Sequence, residues 1–386
     1  MSRLCLAAAA LLFVVCPTAR AQVLVADSGV ERSQIGPGAP AHTIGLERHQ
    51  QTITLETGRQ TFGLRYVVAH DAKRPQVAIP GEGYLGMPRP VDCNWYAGGF
   101  FDLQINGRSI GTTPVASVSG RSSPGRGTAD FVFDAPPAVV RIRFVAQAGG
   151  DCLYAQVLLE PKTPITSLAV VVRCYPSAFT SDGDRHVLTA VRDFKQGQRA
   201  ALDVAREWWT LYADRVYDAG YVAANHRGVG PCAVVWLPGQ TEKATFTVGS
   251  YGTDTRFQLK PGRRDVRFVF FDYAGQKNAA ARADLARRAA GLVDELGRFA
   301  FTDPALAQWP LAAKQAEIRR VLAAVAADAS TAAQYQRWAE QLARQLPLLR
   351  DAATGAIMAE AAAAQTIAAW EQGLPALKLK ALLNGI

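Results

Sequence analysis

Residues 52–56 and 62–68 alternate apolar and polar side chains with a period of two, the pattern of a strand with one face buried and one in water. Residues 100–105 continue it and run into Asn106-Gly107, followed by Arg108-Ser109-Ile110. Asn-Gly between two such runs predicts a hairpin, because a type I′ turn needs two residues that tolerate positive φ. Further strands are predicted at 129–133, 139–145 and 153–159, separated by Gly and Pro clusters at 122–127, 136–137 and 149–150. A second set follows. Leu168–Cys174 and residues 233–237 are continuous apolar runs, 245–248 and 256–259 alternate, and 267–271 closes the set. Residues 207–212 are aromatic and β-prone, and we read a strand over Trp208-Trp209, although Ala205, Trp208, Trp209, Tyr212 and Val216 also share a helical face.

After about Gly275 the period changes. Leu285, Leu292, Val293, Leu296 and Phe299 form one helical stripe. Asp303-Pro304 reads as an N-cap and first helical position, with Ile318, Val321, Leu322 and Val325 continuing that helix. Ser330 caps a third helix striped by Tyr335, Trp338, Leu342 and Leu346, which Pro347 ends or kinks. Residues 354–370 make a fourth, stopped by Gly373 and Pro375. The predicted fold is therefore α+β: a large antiparallel β-sandwich, either one supersized sandwich or two in tandem, followed by an α-helical hairpin or small bundle. The expected divisions are 45–162 and 163–274 for two β-sandwich regions and 275–386 for the helical region.

The first residues are of another kind. Met1, Ser2 and Arg3 precede an apolar run from Leu4 to Val15, and Ala19-Arg20-Ala21 follows Pro17. A basic start, a short apolar core and a small-x-small site predict a secretory signal over 1–21, cut before Gln22. The run is shorter than the roughly 20 residues a membrane-spanning helix needs, so no integral span is expected after its removal. Cys16 raises a lipid anchor, but Val15 stands where that reading needs a small residue. Residues 22–44, with Gly36-Pro37-Gly38-Ala39-Pro40, read as a flexible leader. The expected location is secreted or periplasmic.

Export changes the meaning of the cysteines and of the charge. Of six cysteines, Cys5 and Cys16 fall in the signal. Cys93, Cys152, Cys174 and Cys232 remain, an even set that predicts disulfides in an oxidising compartment, with three pairings open. None is spaced C-x-x-C, which leaves zinc and redox motifs without support. The formal net charge is +9 over 386 residues. It suits acidic partners such as polyanionic glycans or lipid head groups as well as plain solubility; export excludes nucleic acid.

Candidate chemistry is sparse. Asp182-Gly183-Asp184-Arg185-His186 is the most polar cluster, and Asp182 and Asp184 have the spacing of calcium ligands. The third ligand and distal Glu of a calcium loop are missing, so a polar turn explains it as well and no metal or cofactor is assigned. Among five histidines, His226 lies in a Gly-rich loop before Cys232 and His186 follows the polar cluster; with a carboxylate such as Glu207 they are the acid–base candidates. No Ser sits in a nucleophile elbow. The stronger signal is aromatic. Tyr84 lies in Gly81-Glu82-Gly83-Tyr84-Leu85-Gly86, and Asn94-Trp95-Tyr96 leads into Ala97-Gly98-Gly99. Aromatic rings with amides among glycines stack on sugar rings and bind their hydroxyls, or else plug the end of a sandwich core. Arg121, Arg126, Lys260, Arg263, Arg264 and Arg267 stand in or beside turns, where guanidiniums hold sulfated or uronic acid glycans or are simply solvated.

The leading expectation is a carbohydrate-binding protein, non-catalytic, taking a poly- or oligosaccharide at Tyr84, Asn94, Trp95 and Tyr96. The competing ones are a glycan-active hydrolase, lyase or epimerase using His226, His186 and Glu207, and an envelope scaffold that oligomerises through its C-terminal helices.

Overall fold

The computed structural model describes residues 22–175, 184–218, 229–350 and 356–384. The predicted signal, Asp182 and His226 lie outside them. The strands in chain order are β1 (Leu24–Asp27), β2 (Glu31–Gln34), β3 (Glu47–Glu56), β4 (Thr61–Asp71), β5 (Arg74–Arg89), β6 (Phe101–Ile105), β7 (Arg108–Ser109), β8 (Val115–Ser123), β9 (Arg126–Asp134), β10 (Ala138–Gln147) and β11 (Cys152–Pro161). Then come β12 (Leu168–Cys174), β13 (Arg185–Leu188), β14 (Asp193–Lys195), β15 (Arg199–Leu202), β16 (Trp209–Asp214), β17 (Cys232–Trp236), β18 (Thr241–Val248), β19 (Thr253–Leu259) and β20 (Asp265–Asp272).

They form two antiparallel sheets of eleven and nine strands. The eleven-stranded sheet runs β1-β3-β4-β5-β6-β12-β19-β18-β15, with β2 beside β3 and β7 beside β6. The nine-stranded sheet runs β14-β13-β16-β17-β20-β11-β10-β9-β8. Strands from both expected β regions pair within each sheet, β6 with β12 and β11 with β20, so this is one supersized sandwich rather than two in tandem. Residues 22–44, expected to be a leader, instead supply β1 and β2 against β3, with Val23 fully buried. The Asn106-Gly107 hairpin is present, with φ of 51° and 78°.

Inward side chains of the two sheets make one core. Phe100, Phe101, Phe144, Phe268 and Phe270 interlock mostly edge-to-face with centroids 5.6–6.1 Å apart. Each such ring removed from water contributes about 1.5–3 kcal/mol.

The helices are α1 (Arg215–Asp218), α2 (Asn278–Arg298), α3 (Pro304–Ala307), α4 (Leu311–Val325), α5 (Ala329–Arg350) and α6 (Ala356–Asn384). The stripe Ala281, Leu285, Ala289, Leu292 and Leu296 lays α2 on the outer face of the nine-stranded sheet, against Leu211, Val235, Val269 and Phe271. Phe299, just past its end, stacks on Tyr154 at 4.0 Å. Three helix boundaries differ from expectation. The helix begun at Pro304 stops after one turn, because Pro310 has no N–H to continue it and Trp309 turns inward against Trp370. Asp328, not Ser330, caps α5, accepting from the Thr331 amide at 2.7 Å. Finally, α6 runs through Gly373 and Pro375. Leu374 is buried and Leu377 packs on the helical core, and at Gly373 an added Cβ would stand 2.7 Å from the Tyr335 hydroxyl. Apolar packing there outweighs the roughly 4 kcal/mol of intrinsic helix preference that Gly and Pro forfeit.

A buried ionic cluster fastens α6 to the same sheet. Arg143, fully buried, donates two bonds of 2.6 Å to Asp130 and one of 2.6 Å to Glu360. Arg141 reaches the other Glu360 oxygen and Gln156, and Arg121 lies 3.4 Å from Asp303. Three guanidiniums thus face three carboxylates. Burial alone would raise the Asp130 pKa; the guanidinium of Arg143 beside it, with Arg121 and Arg141, instead holds it well below the usual carboxylate range.

The cysteines correct another expectation. Cys93, Cys152, Cys174 and Cys232 are all free thiols, and all are buried. Cys174 on β12 and Cys232 on β17 enter the core from opposite sheets, whose packing distance of about 10 Å exceeds the reach of a disulfide. Cys152 sits under α2 on the far side of the nine-stranded sheet.

Candidate functional site

Helices cover the outer face of one sheet. On the other sheet, β6, β12 and β19 alternate buried and partly exposed positions, so their outward residues meet solvent. Register brings those residues into rows. Val171 stands between Asp102 and Arg256, Ala169 between Gln104 and Gln258, and Arg173 opposite Asp254. The polar groups are hydrogen-bonded to one another. Asp102 accepts from Gln104 Nε2 at 2.9 Å and from Ser109 Oγ at 2.5 Å, and Arg256 donates to Gln104 Oε1. Arg173 makes a bidentate pair with Asp254 at 2.6 and 3.0 Å, which raises the arginine pKa.

Aromatic side chains border these rows. Tyr84, half-buried, lines a shallow cavity of about 200 Å³ with Gly98, Gly99, Asp102, Gln104 and Arg173. The ring of Tyr96 lies over Gly98 and its hydroxyl is 3.2 Å from that of Tyr251, which is 57% exposed. That hydrogen bond and partial burial push the Tyr96 phenol up, so it stays a neutral donor and acceptor. The loop before Phe100 sits close on β5 because residue 86 is glycine: a Cβ there would stand 1.9 Å from the Ala97 carbonyl oxygen.

Asn94 and Trp95, expected beside Tyr96 in the ligand site, are fully buried. Trp95 donates its indole N–H to the Phe271 carbonyl at 2.9 Å and lies edge-on to Phe270 and Tyr212. Asn94 donates to Asp272 Oδ1 at 2.7 Å and accepts from the Gly230 amide at 3.0 Å. These two residues plug the end of the sandwich. Burial pushes the Asp272 carboxyl up to about 8, so it is protonated at neutral pH.

Of the acid–base candidates, Glu207 and His186 lie among the described residues, and each is held by its own partners. Glu207 is fully buried, accepting from Thr189 Oγ1 at 2.7 Å, Arg192 Nε at 2.8 Å and the Asp203 amide at 2.8 Å. Burial raises its pKa, but these donors, Arg192 first, outweigh that and lower it, which makes it a clip between loops rather than a base. His186 lies 3.0 Å from Asp193 and 3.2 Å from Asp184. Desolvation opposes its protonation, and the two carboxylates raise its pKa nonetheless. Asp184 is therefore engaged by His186, and among the described residues no three His, Cys, Asp or Glu groups are arranged to hold a metal.

Asp102, Gln104, Arg173, Asp254, Arg256 and Tyr251 were not singled out from the sequence. For the strand residues the signal was parity: in residues 100–105 the polar positions are those that face away from the core, whereas Tyr251 lies in the turn between β18 and β19, where parity says nothing.

No protein-family model matches the sequence, and no curated protein matches it. Solved structures align over part of the chain. The GH36 α-galactosidase AgaB from Geobacillus stearothermophilus is 12% identical with a TM-score of 0.32, over 58% of this chain and 40% of that one. The heparan sulfate lyase HepC from Pedobacter heparinus gives 9% and 0.32, over 58% and 36%. A Paenibacillus xanthan lyase gives 9% and 0.38, over 64% and 27%. The chain thus spans less than half the length of each, and alignments this loose carry no activity across.

Proposed function

We propose that this chain is an exported carbohydrate-binding protein that takes a poly- or oligosaccharide on the open face of its eleven-stranded sheet. The observation that supports it is the cavity that Tyr84 shares with Asp102, Gln104 and Arg173, with Tyr96 over its Gly98 wall and bonded to Tyr251, and Arg256 bonded to Gln104, on a sheet face that none of the described helices covers. Flat rings beside a fixed set of amide, carboxylate and guanidinium groups match the alternating apolar faces and hydroxyl edges of a sugar. Binding without turnover fits the two described acid–base candidates, since Glu207 is sealed in its clip and His186 is held between two carboxylates. The test is affinity electrophoresis through gels carrying single polysaccharides, with wild type, Tyr84→Ala and Tyr96→Ala. Retardation of the wild type that either substitution weakens about tenfold is the expected result. Equal retardation of all three would remove the site, and no retardation on any glycan would remove the reading.

A further inference from the structure

We infer that the glycan is anionic and that its charged group is held at the far end of β12, in a basic pocket continuous with the open face. This rests on the carbohydrate reading above. A cavity of about 400 Å³ opens where the β11–β12 connection meets the β19–β20 turn, lined by Lys162, Lys260, Arg263 and Arg264 with Glu242 the one acid. Lys162 is tied to Asp134 and the Ala135 carbonyl, and Arg263 donates to the Gly239 carbonyl at 2.9 Å. Among the described residues Lys260, Arg263 and Arg264 form no ion pair, and all three are exposed.

Register links this pocket to the tyrosines. Leu168 and Gln258 line it, Gln258 pairs through Ala169 with Gln104, and Gln104 lines the tyrosine cavity. From Arg173 to Leu168 the strand covers roughly 17 Å, the span of a short oligosaccharide rather than one sugar. On β6, β12 and β19 the outward charges are Arg173 and Arg256 against Asp102 and Asp254, which balance, and the surplus is Lys243, exposed beside Gln258, together with the Lys260–Arg264 end. A neutral glycan has no use for that surplus. A carboxylate or sulfate ester matches the guanidinium fork of Arg263 or Arg264.

The experiment compares polygalacturonate, dextran sulfate and neutral dextran as probes, with wild type, the combined Lys260→Ala/Arg263→Ala/Arg264→Ala variant, and Tyr84→Ala. The three basic side chains lie in a solvated turn, and circular dichroism checks that the variant keeps its fold. The expected result is wild-type retention on polygalacturonate, dextran sulfate or both, but not on dextran. Retention should weaken as salt rises and fall about tenfold in the triple variant. The two polyanions separate carboxylate from sulfate recognition. A triple variant retained like the wild type, or dextran retained like dextran sulfate, overturns the basic pocket and leaves the tyrosine site standing. Polyanion binding that depends on the basic turn but ignores Tyr84→Ala overturns the carbohydrate face instead. No retention on any probe overturns both.

Discussion

The two sheets are built alike on their inner sides and differ on their outer ones. In the nine-stranded sheet β10, β16, β17 and β20 are almost continuously buried, because α2 and α6 lie on the far face. In the eleven-stranded sheet β6, β12 and β19 alternate, and the far face carries hydrogen-bonded polar rows and tyrosines. The same strand geometry serves stability where it is covered and recognition where it is open. Charge behaves the same way. The Arg143–Asp130–Glu360 cluster is dry and locked, whereas the Arg173–Asp254 pair is about 40% exposed on each side and reachable.

That comparison breaks first at Arg143. Arg143→Ala leaves Asp130 and Glu360 buried without their partner, and unfolding free energy in urea should fall by about 3–5 kcal/mol. Next, Leu285→Ala empties the stripe that holds α2 and should cost about 3 kcal/mol in the same assay. An unchanged midpoint for either would mean that the helical cover contributes little.

The plug between the two faces supplies the third test. Asp272 has a folded pKa of about 8, raised by burial, against an ordinary value near 3.8. Between those values the folded state binds a proton that the unfolded state has lost. The contribution is whole below about pH 4, declines as pH rises, and is gone above about pH 8. Asp272→Asn stays neutral throughout, so its stability relative to wild type should climb by about 1.4 kcal/mol per pH unit across that window and then level off. A flat difference between pH 5 and pH 8 would show the carboxyl to be ionised in the fold. Smallest is Arg173→Ala on the open face, expected to change stability by no more than about 0.5 kcal/mol while weakening glycan retention. A loss of several kcal/mol there would make the open face structural.

Much of this was legible in the residues themselves. The hairpin at Asn106-Gly107, the strand Leu168–Cys174 and the α2 stripe follow from local chemistry. β5 did not, since Pro75, Pro80 and Pro88 with Gly81, Gly83 and Gly86 argue against a strand that pairing with β4 nonetheless imposes. At the site, composition pointed to the segment holding Tyr84 and Tyr96 but not to the side each residue faces. Trp95 turns in and Tyr96 out because the loop closes with the Ala97 amide on the Asp92 carbonyl, a geometry without a sequence signature. The pairing of Arg173 with Asp254 joins residues 81 apart, which only the sheet order reveals.

The four buried thiols make the molecule its own clock. Burial drives the thiol pKa values of Cys174 and Cys232 well up and that of Cys93 to about 12, so an alkylating reagent finds no thiolate in the intact fold. Each modification must wait for an opening. Cys93 belongs to a small satellite cluster with Tyr175 and Tyr217, and Cys174 to the main core. Their labelling rates, separated by mass spectrometry, time the loosening of the sandwich end against the rupture of the whole.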